Sequence, residues 1–315
     1  NRTAQVDWMA APYNAPRAGA DPTMGGFLQD YRNNLERLRL GQVPHDDEVA
    51  QIMGGFSPDQ LPVLSTLARE FAVFDAWFAA VPSQTYCNRS FFHASTSHGY
   101  VTNTHAGGYQ KWLDAPEVPT IFNRLEEAGI SWKIYFDELQ LVSLTGVMHA
   151  PVLERYWRTE RFGYMSEFYQ DAREGRLPAY AFIEPRMVFN HNDFHPPFGV
   201  YRSTEVDGRM VVDSAVSDVR AGEHLIASVY EAIKLSKKAD GSNAMNTLLL
   251  ITFDEHGGTY DHMPPPDAIS PTIDEQPGEM DFAFDRLGLR VPTIAVSAYT
   301  KAGTIVHDEM HHGAV

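Results

Sequence analysis

The stretch Leu248–Pro266 reads LLLITFDEHGGTYDHMPPP. Its first six residues are apolar or β-branched with no polar alternation. Such a run predicts a strand covered on both faces, as strands of parallel sheets are. The run then breaks into two adjacent carboxylates, Asp254 and Glu255. Side by side they repel one another unless a cation stands close by. Hard oxygen ligands suit Ca²⁺, Mg²⁺ or Mn²⁺, and the imidazole of His256 also admits Zn²⁺ or Fe. Gly257 and Gly258 permit positive φ and close backbone approach. Asp261 and His262 are expected to return a second acid–imidazole pair to the same place. Pro264, Pro265 and Pro266 stiffen the exit. A lone acidic pair here would read as a solvated turn. The whole string reads as a site, because ligands of open α/β sheets gather at the carboxyl ends of the strands.

Outward from this strand the same alternation repeats. GFLQDYRNNLERLRLG has helical spacing of Phe27, Leu28, Tyr31, Leu35 and Leu38, and Gly41 ends it. SPDQLPVLSTLAREFA is expected to be a helix capped by Ser57. VFDAWFAAV, SWKIYFD, AYAFIEP and VPTIAVSAY read as strands. NRSFFHASTSHG, PTIFNRLEEAGI and GEHLIASVYEAIKLSKK read as helices, the first closed by Gly99 and the second by Gly129. Apolar strands alternating with helices predict an α/β fold with a mostly parallel central sheet and helices on both faces. The stretch 140–220 is richer in loops and predicts a cap or insert.

The 315 residues, 43% of them hydrophobic, suit one large domain with a sizeable core. A net charge of −16 argues against a nucleic-acid partner and against electrostatic docking on anionic lipid. No apolar run approaches a membrane span. One cysteine, Cys87, forms no internal disulfide. Oligomeric state is left open.

Three further segments carry chemistry. In VPSQTYCNRSFFHASTSHG, residues 81–99, Thr85 lies at a strand-to-helix junction, where a helix N-terminus offers free N–H groups. Read alone, a threonine there is a helix cap. Beside a metal or base, its hydroxyl is a nucleophile. Arg89 is placed to clamp a phosphate and Asn88 to donate to an oxyanion. In FIEPRMVFNHNDFHPP, residues 182–197, a strand ends in Glu184-Pro185-Arg186, and His191, Asn192, Asp193 and His195 follow in a loop. In RVPTIAVSAYTKAGTIVHDEMHH, residues 290–312, His307 and His311 have the i, i+4 spacing of one helix face.

Together these four segments resemble the bacterial and plant phosphoesterase family, which contains non-specific phospholipases C and an acid phosphatase branch within the alkaline-phosphatase superfamily. TFDEHGGTYDHMPPP is similar to its Asp-Glu metal block, and VPSQTYCNR to its nucleophile segment, with Cys87 where the family usually has proline. The other two segments resemble its third and fourth blocks. The resemblance implies an alkaline-phosphatase-type sheet and hydrolysis of a phosphate ester through a covalent phosphothreonine. It assigns Thr85 as the attacking hydroxyl and a ligand of the metal, and Asp254 and Glu255 as acidic ligands of a divalent ion. Asn192, His195 and His256 fall in blocks that line the site. A phospholipid headgroup ester is the implied substrate, a phosphomonoester the alternative, and an extracellular or periplasmic location goes with it. The family's opening strand, followed by Glu-Asn-Arg-Ser-Phe-Asp-His, has no counterpart in this sequence. Its Glu and Asn complete the metal site, so a gap is expected in the centre of the sheet, and a metal-free binding relative is the rival reading.

Overall fold

The computed structural model describes residues 23–104, 107–187, 190–195, 202–213, 218–271 and 277–315. Its strands in chain order are β1 (Ala72–Phe74), β2 (Trp77–Phe78), β3 (Trp132–Phe136), β4 (Phe162–Tyr164), β5 (Tyr180–Glu184), β6 (Arg202–Val206), β7 (Arg209–Asp213), β8 (Leu249–Ile251), β9 (Thr293–Val296), β10 (Thr304–Val306) and β11 (Met310–His311). The helices that matter below are α1 (Phe27–Leu38), α2 (Pro62–Glu70), α3 (Thr85–Ala94), α4 (Ile121–Glu127), α5 (Leu144–Met148), α6 (Met165–Arg173) and α7 (Val219–Lys234).

A three-stranded sheet, β4-β3-β5, is parallel throughout, with Ile134 of β3 opposite Phe162 on one side and Phe182 on the other. Its continuous apolar strands follow from cover on both faces. Trp132, Ile134, Tyr180 and Phe182 point to α4, where they pack on Phe122. The alternate residues Tyr135, Ala181 and Ile183 point to α6 and α7, onto Phe168, Val229 and Ile233. A second sheet runs β10-β1-β9-β8. Here β1 pairs with β10 in parallel, but β9 runs antiparallel to both β1 and β8. The α/β class therefore holds, with parallel pairing complete in one sheet and mixed in the other.

Helix α7 ties the two sheets together. Ile226 and Tyr230 join Leu67, Ile294 and Val296 of the second sheet's core, while Val229 and Ile233 join that of the first. Leu249 of β8 packs in both clusters. Each such side chain moved from water into the core is worth about 1.5–3 kcal/mol, so this one helix fixes the relative placement of the sheets. Among the described strands β5 pairs only with β3, and β8 only with β9. The two remaining edges line one cavity of about 2280 Å³.

Several local expectations are corrected. Ser57 does not cap a helix. The helix starts at Pro62, and Ser57 instead accepts from Gln60 and Leu61 in a preceding turn. Proline is favoured at the first helical position, where its missing N–H costs nothing. The 88–99 segment leaves the helix at Ala94, because Ser95 turns left-handed (φ 56°). The stretch 140–220 is not all cap: it supplies β4 and β5 to the parallel sheet. His307 and His311 share no helix face, since β11 follows a bend. His307 meets Asp75 at 2.7 Å on the surface, and the His311 ring accepts from the N–H of Gly313.

Candidate active site

The site is built around the entry to α3. Residue Gln84 is extended (ψ 177°) and is the N-cap; Thr85 is the first helical residue. The cap reading of Thr85 is therefore replaced: the residue stands in the first turn of the helix and lines the cleft. The turn that presents it is held by Asn88. This fully buried amide accepts from the N–H of Val81 at 3.0 Å and donates toward the carbonyls of Val81 and Ser83, each at 3.2 Å. Asn88 also lines the cleft, but its hydrogen bonds in this structure close on the 81–84 turn.

Arg89 follows Thr85 by one helical turn, hence on the same face. Its side chain is 12% exposed and lies over the Phe182 ring, 6.0 Å from the centroid. The guanidinium stands between two carboxylates, with Nε 3.7 Å from Asp254 and Nη1 3.9 Å from Glu184. Neither distance is a hydrogen bond, and both nitrogens are buried without a hydrogen-bond partner. Glu184 ends β5 and is fully buried; it accepts from the N–H groups of Leu144 and Thr145 at the start of α5, at 3.1 and 2.6 Å. Asp254 follows β8. One arginine reaching both groups shows that the carboxyl ends of β5 and β8 open on the same edge of the fold.

His312 holds Asp254 from behind. The Trp77 indole N–H donates to its Nδ1 at 3.3 Å, so its proton sits on Nε2 and is donated to the Asp254 carbonyl at 2.8 Å. Burial first, offset in part by that carbonyl, lowers its pKa to about 4, so the ring is neutral at ordinary pH. Glu255 accepts from the N–H of Gly257 at 2.7 Å inside the turn, where Gly257 and Gly258 have φ of 67° and 89°. The glycines are required there, because both positions lie in the left-handed region. His256 is buried against the edge of Phe27 from α1 and lines the cleft. Opposite, Asp193 receives the His195 N–H at 3.0 Å and faces His191 Nδ1 at 3.2 Å. Asn192 accepts from the Arg186 N–H at 2.5 Å.

The structure thus gathers Thr85, Arg89, His195, Asp254, Glu255 and His256 around one cleft. It does not gather Asp261 and His262. Asp261 is clasped by Arg290 through two bonds, at 2.7 and 2.8 Å, and His262 is exposed. Sequence reasoning missed Glu184 and His312 as site residues. Glu184 carries the same signal as Asp254, an acid ending an apolar strand. His312 carries none beyond standing beside another histidine. Among the described residues no three carboxylate, imidazole or thiol groups converge as a metal site. Asp254 faces the cleft beside Arg89 and Glu255 bonds its own turn, so these residues do not by themselves complete a metal centre.

The model of the phosphoesterase family matches residues 21–315. The chain belongs to the phosphoesterase family. Among curated family members it is 35% identical to non-specific phospholipase C1 of Arabidopsis thaliana over 295 residues, 91% of this chain and 47% of that protein. It is 27% identical to phospholipase C B of Mycobacterium tuberculosis over 300 residues, 85% of this chain and 51% of that one. The chain therefore spans about half the length of the curated relatives it matches. It is also similar to a solved alkaline-phosphatase-superfamily protein from Vibrio parahaemolyticus, at 11% identity, with a TM-score of 0.42 over 84% of this chain and 60% of that chain.

Proposed function

We propose that this chain hydrolyses phosphate esters, as a phospholipase C-type phosphodiesterase, through a phosphothreonine at Thr85. The observation that carries the reading is the Arg89 guanidinium, with two buried N–H groups unpartnered, one helical turn from a hydroxyl at a helix N-terminus. Buried donors are almost always satisfied; these two belong to a residue that lines the cleft and have only the carboxylates of Asp254 and Glu184 near them, beyond hydrogen-bond reach, which favours an anion as their partner. A phosphoryl group placed there receives those N–H groups on its non-bridging oxygens, which is where charge must be neutralised in transfer.

In the first step the Thr85 hydroxyl passes its proton to an imidazole on the cleft wall as its oxygen–phosphorus bond forms, and the ester oxygen–phosphorus bond breaks. The leaving alkoxide takes a proton from an imidazole on the cleft wall, His195 or His256. Water then attacks the phosphothreonine, the bond to Thr85 breaks, and phosphate or phosphorylated headgroup departs. Asp254 and Glu255 are the residues that would hold a divalent ion, as the resemblance implies, and a bound ion would supply positive charge there. The relatives named phospholipase C support a diester substrate. A phosphomonoester is the alternative, and comparing an aryl phosphate with an aryl phosphorylcholine separates the two.

The experiment is acid quench during turnover, followed by peptide mass mapping, alongside Thr85→Ala. The proposal expects the phosphorylated headgroup on Thr85, phosphorylcholine when an aryl phosphorylcholine is turned over, and a rate loss of about two to four powers of ten for Thr85→Ala. Near-normal turnover by Thr85→Ala rules out the nucleophile.

A further inference from the structure

Between β3 and α5 the chain makes a turn whose apolar side chains are exposed to solvent along the wall of the cleft. Leu139, Leu141 and Val142 are 57%, 87% and 59% exposed. The turn itself is fixed. The N–H of Gln140 bonds the Asp137 carbonyl at 2.9 Å, and the Leu139 N–H bonds the Asp137 carboxylate at 2.9 Å. Gln140 points inward, buried, and its side-chain oxygen accepts from Met187 at 2.9 Å. The acids of the turn are engaged: Asp137 by Arg186 at 3.1 Å and Glu138 by the N–H of Ser166 at 2.9 Å. What the turn presents outward is therefore apolar and rigidly held. An isolated exposed leucine needs no explanation, but three in four residues on an anchored turn do.

Its location supplies one. The next residues, Leu144 and Thr145, donate to Glu184, the carboxylate beside Arg89, and Arg186 lies two residues beyond Glu184. The apolar tips thus project from the edge of the fold onto which the anion site opens. We propose that this turn docks the protein on a zwitterionic lipid bilayer, its three tips entering the boundary between headgroups and acyl chains. The proposal rests on the phospholipid-ester reading of the site and adds how that substrate is reached. Charge favours the zwitterionic surface: a chain of net charge −16 is repelled by an anionic one. Contact through apolar side chains alone gives weak, reversible residence, which suits a protein that must release its product.

The test is flotation with phosphatidylcholine vesicles, wild type against Leu141→Ser/Val142→Ser, together with hydrolysis of vesicle lipid and of a soluble aryl phosphorylcholine. Each apolar tip removed from the interface is worth about one power of ten in partitioning. The double variant is expected to lose vesicle binding and vesicle hydrolysis about a hundredfold, with the soluble substrate and the melting temperature unchanged. Wild-type binding is expected to survive added salt and to weaken on vesicles enriched in phosphatidylserine. Equal vesicle binding by both proteins, or none by the wild type, overturns docking. So does a wild-type dimer that the double variant dissociates, which would give the turn to a second copy. Vesicle binding by a wild type that hydrolyses neither substrate sinks the hydrolase reading and leaves docking standing.

Discussion

Replacing Arg89 by methionine keeps most of the apolar stem and removes every donor. The structure allows its two effects to be separated. The stability cost is modest. Glu184 keeps its two backbone N–H partners, at 3.1 and 2.6 Å, and Asp254 is 29% exposed. Breaking a buried ion pair costs about 3–5 kcal/mol when it strands the remaining charge. Here neither carboxylate is stranded and neither contact is a hydrogen bond, so about 1–2 kcal/mol is expected, a few degrees in Tm. The catalytic cost is larger. Losing a donor aimed at developing charge costs about 10²–10³ in rate, or roughly 2.7–4 kcal/mol. The assay is kcat/KM on an aryl phosphorylcholine, with calorimetry of the same preparations. Arg89→Lys should recover only part of the loss, since an ammonium cannot present two fixed N–H groups. If Arg89→Met keeps its rate while Tm falls by more than about ten degrees, the guanidinium is a structural ion-pair partner and the anion-site argument is wrong.

Three other outcomes follow from the same geometry. Asn88→Ala leaves buried groups of the 81–84 turn without partners and should cost about 2–4 kcal/mol in urea unfolding; an unchanged midpoint would show that the turn holds itself. Two acidic residues without a third ligand bind a divalent ion weakly, so titration of this chain with Mn²⁺ should give a Kd no tighter than about 10⁻⁴–10⁻³ M, lost in Asp254→Asn; micromolar binding would reveal ligands not gathered here. His149 is buried and its pKa is depressed to about 3, chiefly by burial, and His93 is lowered well below its usual value for the same reason. Both are neutral when folded and take up protons when unfolded, so stability is full above the ordinary histidine pKa and falls as pH drops below it. By pH 4.5 the loss should be roughly 2–3 kcal/mol for His149, with His93 acting in the same direction, and His149→Gln should flatten that acid limb.

Much of the fold was legible because apolar strands covered on both faces announce themselves locally. Trp132–Phe136 and Tyr180–Glu184 were readable in this way, as was the acid that ends the Leu248 run. The direction of β9 was not. Thr293–Val296 has the same apolar pattern whether it runs parallel or antiparallel, and only its long-range partners Val73 and Leu250 decide. Ser57 failed as a helix start because Pro62 offers a better one five residues later. In the site, Thr85, Arg89 and Asp254 were legible from their place at strand and helix ends. The fate of Asp261 was not, because Arg290 lies 29 residues away along the chain. The bonds of Asn88 to its own turn were not legible either, because side-chain type alone cannot show them.

The central claim is that one phosphoryl group fits between the Thr85 hydroxyl and the Arg89 guanidinium. A crystal structure with orthovanadate tests it most directly. Vanadium is expected to be bonded to Thr85 Oγ1, with Arg89 Nε and Nη1 on its equatorial oxygens. Vanadate bound elsewhere in the cleft, with those two nitrogens turned away from it, would contradict the account.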